Sequence, residues 1–329
     1  MLNNIAVIGS GSWATALVKI FAESGVHIKW LVRNQHAADY IRQYRHNPRY
    51  LSYANLNTKY ITPLTSAEEA LQDVDFILFA VPSAHLKNTV QDIEPEWLAG
   101  KQLAVSIKSF VPGTGNIPGV FLKKYFTAEQ PVMVLGGPCH AEEIAMQRNT
   151  YLTAAGDDMA MVKQVCDSIK VPYIKTIANA DPSGVEYSAI LKNIIGIATG
   201  IANGLHYGEN FQAVLASNAM REVQRFLAAV NHTTRDLFDS AYFGDMLVTA
   251  YSDFSRNRTL GKLIGRGMQV TKALQAMEMV AEGYNASKEL SVVMKQLNLS
   301  LPIMNSVGRI LHHHANPFHE FKLIEQQLR

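Results

Sequence analysis

The sequence predicts an α/β doubly wound sheet followed by an all-α C-terminal domain. Three observations predict it. Strand candidates at 5–8, 28–32, 76–80, 103–107, 132–135 and 151–155 are mostly separated by helix-like segments. They are continuous apolar runs, as strands covered on both faces require, and their alternation with helices builds a parallel sheet. A glycine-rich turn follows the first strand directly. Near Ile177 the texture changes, and no convincing strand follows.

The helical half announces its start. Asp181 before Pro182 reads as a helix N-cap and first helical position. Apolar-periodic stretches then run over 185–205, 212–230, 259–264, 271–279, 286–297 and 306–313. We therefore expect two domains, 1–180 and 181–329, which suits a chain of 329 residues. Apolar residues make up 48% and charged residues 18%, so large cores can form and disorder is excluded. A net charge of +2 gives no electrostatic basis for binding nucleic acid or an acidic membrane. The N-terminus carries no secretory pattern, and the longest strongly apolar run, 194–202, is too short to span a membrane. Two cysteines build no disulfide framework and fit a reducing, cytoplasmic compartment.

The turn reads Gly9-Ser10-Gly11-Ser12-Trp13-Ala14, a G-x-G-x-x-A pattern between a strand and a helix. Gly9 allows the tight turn, Gly11 lets a pyrophosphate approach the backbone, and Ala14 lets helix and strand pack closely. The helix N-terminus presents N–H groups and partial positive charge to phosphates. The pattern predicts dinucleotide binding. After the second strand, Arg33 stands where a site for NAD usually has an acidic residue. An arginine suits a 2′-phosphate, so NADP is favoured and NAD stays open.

Lys192 lies within an apolar helix, with Ser188, Gly196, Thr199 and Asn203 on its face. That face of small or polar residues leaves room for a ligand. A lysine there can act as general acid once desolvation or a neighbouring cation lowers its pKa from about 10.4. Lys108 follows the strand at 103–107, at the sheet edge that faces ligands. Ser255 reads as a helix N-cap, Arg256 can bind a phosphate in a fork, and Asn257 adds an amide donor.

Segments 9–17, 79–83, 107–108, 137–138, 191–193, 244–245, 255–258 and 281–284 occur in the order found in one family. The sequence resembles, over nearly its whole length, the bacterial NAD(P)-dependent sn-glycerol-3-phosphate dehydrogenases. The resemblance implies a Rossmann domain followed by a helical domain of the 6-phosphogluconate dehydrogenase C-terminal-like kind. It implies reversible hydride transfer between glycerol 3-phosphate and dihydroxyacetone phosphate, which supplies glycerol phosphate for phospholipids. A homodimer is open as its assembly.

The resemblance makes Lys192 the general acid/base. It assigns Lys108, Gly137, Cys139, Lys192, Asp245, Ser255, Arg256 and Asn257 to the substrate. It assigns Gly9, Gly11, Ser12, Trp13, Arg33, Lys108, Ala141, Arg256, Val280 and Glu282 to the cofactor. Asp245 could accept from substrate hydroxyls or hold a catalytic lysine; Glu282 could bond the carboxamide or position an arginine. Cys139 departs from the family's usual serine or threonine, and a thiol is a weak donor. Cys166, Met277 and Met279 read as core residues, and His312-His313-His314 as a polar helix end that holds no metal. Two competing functions fit the fold: a 6-phosphogluconate or hydroxyacid dehydrogenase relative, and a cofactor-sensing protein without chemistry. Retention of Lys108, Lys192, Asp245 and Arg256 argues against the second.

Overall fold

The structure, a computed structural model, describes residues 2–126, 132–277 and 279–329. Glu278, inside the predicted helical stretch 271–279, lies outside the described residues. The chain forms two compact units, Met1–Ile107 with Pro118–Val185, and Lys108–Ile117 with Glu186–Arg329. This differs from one cut after residue 180, because the segment that carries Lys108 joins the helices.

The first unit holds strands β1 (Asn4–Ile8), β2 (His27–Leu31), β3 (Ile61–Leu64), β4 (Phe76–Phe79), β5 (Gln102–Val105), β6 (Met133–Gly136), β7 (Thr150–Ala155) and β8 (Ile174–Asn179). They form an 8-stranded sheet in the order β3-β2-β1-β4-β5-β6-β7-β8. The β6–β7 pair is antiparallel, the others parallel. Helices α1 (Ser12–Glu23), α2 (Gln35–Tyr44), α3 (Ala67–Leu71), α4 (Ser83–Gln91), α5 (Pro118–Tyr125), α6 (Ala141–Ala145) and α7 (Met159–Asp167) alternate with the strands. Ile5 to Ile8 of β1 and all four residues of β4 are buried, so these central strands read as unbroken apolar runs, while β2 buries only Ile28 and Trp30.

The two strands that pattern reading misses are the edges. In β3, Pro63 has no N–H for a ladder, and an edge position tolerates that. In β8 only Ile174 is buried, so no apolar run marks it. The β1–β4 neighbourhood is where the strand order reverses, and open α/β sheets bind ligands at the carboxyl ends of such strands.

The second unit is helical: α8 (Pro182–Gly204), α9 (Glu209–Val230), α10 (Asp245–Tyr251), α11 (Arg256–Gly265), α12 (Val270–Gln275), α13 (Glu282–Gln296), α14 (Pro302–His312) and α15 (Pro317–Glu325). The Asp181 carboxylate accepts from the Gly184 N–H at 3.0 Å, which caps α8 as its sequence predicts. Ile190, Ile194, Ile197 and Ile201 are fully buried, so α8 is the axis of this unit. Tyr187 of α8 packs between Phe110, at 6.1 Å, and Phe226 of α9, at 5.3 Å between centroids. Burial first, and the Glu186 charge second, push its phenol up to about 12. Glu222 of α9 accepts from the Ile303 and Met304 N–H groups at 2.7 and 3.1 Å and so caps α14. Burial pushes this carboxyl up to about 7, against those two donors.

Segment 108–117 is anchored on these helices. Glu289 of α13 accepts from the Gly113 and Gly115 N–H groups at 2.8 and 3.3 Å. Both glycines have positive φ, 71° and 64°, which places the two donors in a tight turn facing one carboxylate. His312 accounts for one of the clustered histidines: its Nε2 lies 2.8 Å from the Ser287 hydroxyl, its ring packs on Tyr284, and burial lowers its pKa.

Candidate active site

In the sheet unit the glycine turn leaves the carboxyl end of β1. Gly9 has a φ of +126°, and a Cβ there would lie 2.5 Å from the Ala80 carbonyl oxygen. Both facts require glycine. Gly11 is different: its φ is −77°, and a Cβ would meet nothing within 4 Å. The fold leaves open space where that side chain is missing. No acidic residue lies in the first turn of α1. A helix N-terminus with open backbone before it fits a pyrophosphate.

The turn is pinned from three sides. Trp30 Nε1 donates to the Gly9 carbonyl at 2.6 Å. Trp13 Nε1 donates to Ser106 Oγ at 2.7 Å, and that hydroxyl donates to the Leu135 carbonyl at 2.6 Å. Buried Asn47 donates to the Ser10 carbonyl at 3.1 Å and to Thr15 Oγ1 at 2.8 Å, while its Oδ1 accepts from the Arg49 and Tyr50 N–H groups. Sequence reasoning missed Asn47; His46-Asn47-Pro48 reads only as a turn signal, and what it pins is a long-range fact.

Arg33 is exposed just beyond β2, beside β1 in the sheet, and the next residue, Asn34, caps α2 through its contact with the Ala37 N–H at 2.9 Å. We expect NADPH to bind more tightly than NADH, and Arg33→Ala to narrow the gap. Fluorescence titration of both cofactors checks it, and equal affinities in the parent would refute the role of Arg33.

Further along the sheet unit, Gly137 has a φ of +105°, and a Cβ there would crowd the Tyr151 carbonyl oxygen at 3.0 Å. The Cys139 thiol donates to the Gly137 carbonyl at 3.0 Å, which engages its hydrogen within its own turn. Ala141 begins α6.

The helical unit gathers the chemistry. Buried Asp245, first residue of α10, follows a wide π-helical turn at Ser240–Gly244. Its Oδ1 is ion-paired with Lys192 Nζ, and its Oδ2 lies 3.9 Å from Lys108 Nζ. The Asp245 side chain is 1% exposed, that of Lys192 6% and that of Lys108 19%. One carboxylate thus holds two ammonium groups in a largely dry place, where removing it would leave buried charge uncompensated. Of the two roles open to Asp245, the structure supplies the contact to a lysine.

Lys108, Lys192, Arg256 and Glu282 are joined through their backbones. Asn193 Nδ2 donates to the Lys108 carbonyl at 2.8 Å. Asn257 Nδ2 donates to Asn193 Oδ1, and Asn257 Oδ1 accepts from the Gly283 N–H, both at 2.9 Å. Asn193 follows Lys192, Asn257 follows Arg256, and Gly283 follows Glu282. The amide chain therefore fixes the backbone beside each charged side chain. Asn257 is a positioning residue in this arrangement, with one amide N–H and its carbonyl engaged. Asn193 lies in the motif segment 191–193, but an amide's partners are not visible in sequence. Val280 is exposed, and Glu282 opens α13.

Ser255 caps α11 as predicted, its Oγ accepting from the Arg258 N–H at 3.3 Å, and Arg256 is the first helical residue. Arg258 is outside the cluster, its guanidinium donating to Asp253 at 2.9 Å.

Glycines bring α11 to α8. A Cβ on Gly200 would strike the Arg258 carbonyl and lie 2.9 Å from Gly261 Cα; one on Gly204 would lie 2.8 Å from Gly265 Cα. Gly196, one turn after Lys192, faces Thr249, Asn257 and Ser255 side chains, and Thr199 bonds the Ala250 carbonyl at 3.2 Å. The small-residue face of Lys192 is therefore filled on this side by helix packing, which corrects the expectation of room for a ligand there. Gly200→Ala is expected to destabilise the protein by about 1–3 kcal/mol or more and to abolish turnover with no charged group altered. Thermal denaturation with an activity assay checks it; an unchanged Tm would contradict the backbone contact.

A doubly wound sheet with a glycine turn after its first strand, followed by helices in which one buried aspartate faces two lysines, defines the class: a Rossmann-type dehydrogenase. Residues 4–162 match the family described as NAD-dependent glycerol-3-phosphate dehydrogenase N-terminus, and residues 181–322 match its C-terminus. The glycerol-3-phosphate dehydrogenase [NAD(P)+] of Staphylococcus carnosus is 31% identical over 312 residues, 94% of each chain. That of Xanthomonas campestris is 31% identical, over 95% of this chain and 92% of its own. The crystal structure of the Coxiella burnetii glycerol-3-phosphate dehydrogenase superposes with a TM-score of 0.91 at 25% identity and 98% coverage of both chains. The chain belongs to the NAD-dependent glycerol-3-phosphate dehydrogenase family.

Proposed function

We propose that this chain interconverts sn-glycerol 3-phosphate and dihydroxyacetone phosphate, with NADP favoured as cofactor and NAD also accepted. The observation that carries the reading is the Lys108–Asp245–Lys192 cluster, with Asp245 and Lys192 buried, within a chain that matches both family domains. Bound to the glycine turn, the nicotinamide cofactor supplies or takes the hydride. As hydride reaches the ketone carbon, negative charge grows on its oxygen, and the Lys192 ammonium donates a proton there. In the reverse direction, neutral Lys192 takes the proton from the alcohol. Asp245 Oδ1 orients Lys192. Lys108 adds positive charge close to the same carboxylate and helps to stabilise the developing oxyanion. Arg256 and the N-terminus of α11 hold the phosphate.

This reading places the activity in the cytoplasm, in support of phospholipid synthesis. It is supported by two free cysteines and by the absence, among the described residues, of a helix long and apolar enough to cross a membrane. The test is spectrophotometric oxidation of NADPH by the purified protein with dihydroxyacetone phosphate, against unphosphorylated and six-carbon ketones. Turnover confined to the phosphorylated three-carbon ketone is expected.

A further inference from the structure

Ser188 lies on α8 one helical turn before Lys192, and its Oγ is buried with no hydrogen-bond partner. Side chains four apart on a helix share a face, with Cβ atoms roughly 5–6 Å apart. A helical side chain also leans over the turn N-terminal to it, so a residue at 192 and one at 188 share one face of α8. Two buried threonine hydroxyls of this unit are satisfied: Thr199 bonds the Gly196 and Ala250 carbonyls, and Thr249 bonds the Asp245 carbonyl. Ser188 does not make the bond to its own helix that serines usually make. Two more buried oxygens without a hydrogen bond accompany the same charged residues: Ser109 Oγ, next to Lys108, and Asp245 Oδ2. An unmade hydrogen bond on a buried hydroxyl costs stability, so its persistence beside the reactive lysine points to a ligand that completes it.

We propose that Ser188 is a specificity-determining residue that hydrogen-bonds the hydroxymethyl end of the three-carbon substrate. The proposal rests on the reaction assigned above. In that assignment Lys192 serves the reacting oxygen, Asp245 orients Lys192 and Arg256 holds the phosphate, and the terminal hydroxyl still needs a group to recognise it. A serine hydroxyl can both donate to and accept from such a group. Gly196, on the other side of Lys192, is closed by Thr249, Asn257 and Ser255, so the Ser188 side is where the face retains an unsatisfied polar group.

The test compares kcat/KM for dihydroxyacetone phosphate and for its deoxy analogue acetol phosphate, in the parent, Ser188→Ala and Ser188→Cys, together with Tm. The parent is expected to prefer the hydroxylated ketone strongly. Ser188→Ala is expected to lose about tenfold of that preference, with little change towards acetol phosphate and a Tm equal to the parent's or higher. Ser188→Cys, of similar size but a weak donor, should fall between them. An unchanged preference ratio in either variant overturns the proposal, as does a lower Tm with equal loss on both ketones, which would mark a structural hydroxyl. If the parent turns over neither ketone, the assigned reaction fails and the proposal fails with it; parent turnover with an unchanged ratio removes Ser188 alone.

Discussion

Lys192→Ala is expected to lower turnover about 10²–10⁴-fold, the usual cost of removing a general acid/base. Its Nζ is ion-paired with a carboxylate that is itself buried, so no water can take its place in the same geometry without leaving Asp245 with only Lys108, 3.9 Å away. Cofactor affinity should stay near the parent's, because the glycine turn that fits the pyrophosphate is built wholly from residues of the sheet unit. Stability should fall as well, since Asp245 loses its closer partner. Stopped-flow single turnover with prebound NADPH separates the chemical step from folding and binding. A rate within twofold of the parent would refute the general-acid role.

Arg256→Ala is expected to cost about 2–5 kcal/mol of transition-state binding, as when one member of a buried charged pair is removed. Binding energy at the phosphate end positions the ketone for reduction, so its loss should lower kcat as well as raise KM. Arg256→Lys restores charge without the fork and should recover activity in part. The phosphorylated ketone should lose most of its advantage over dihydroxyacetone in the alanine variant. An unchanged advantage would place the phosphate elsewhere. Arg258 offers a control, because its guanidinium is already engaged by Asp253.

The central strands and the main helices are legible because burial on both faces, or on one helical stripe, leaves a periodic signal in the residues themselves. Strand β3 with Pro63 and the half-exposed β8 are not, since an edge strand is defined by its neighbour. The helix at Asp245–Tyr251 also escaped pattern reading, being short and preceded by the π-helical turn. At the site, the charged residues were nameable from motif order, and Ser255 from capping chemistry. Their mutual arrangement was not. That Asp245 faces Lys192, that Asn257 is engaged by Asn193 and Gly283, and that Gly196 is a packing contact all depend on partners 25 or more positions away in sequence. One segment was hidden for the same reason: Lys108–Ile117 follows a strand in sequence, yet Glu289, Asn193 and Tyr187 hold it on the helices.

The central claim is that Lys192, held by Asp245, transfers the proton during reduction of a phosphorylated three-carbon ketone. The most direct measurement is the pH profile of single-turnover NADPH oxidation with dihydroxyacetone phosphate, in the parent and in Lys192→Ala, with a primary alkylamine added to the variant. The account predicts parent turnover that falls as the lysine loses its proton, a variant without that pH limb, and partial restoration of its rate by the amine. Parent-like rate and pH dependence in Lys192→Ala, with or without amine, would contradict it.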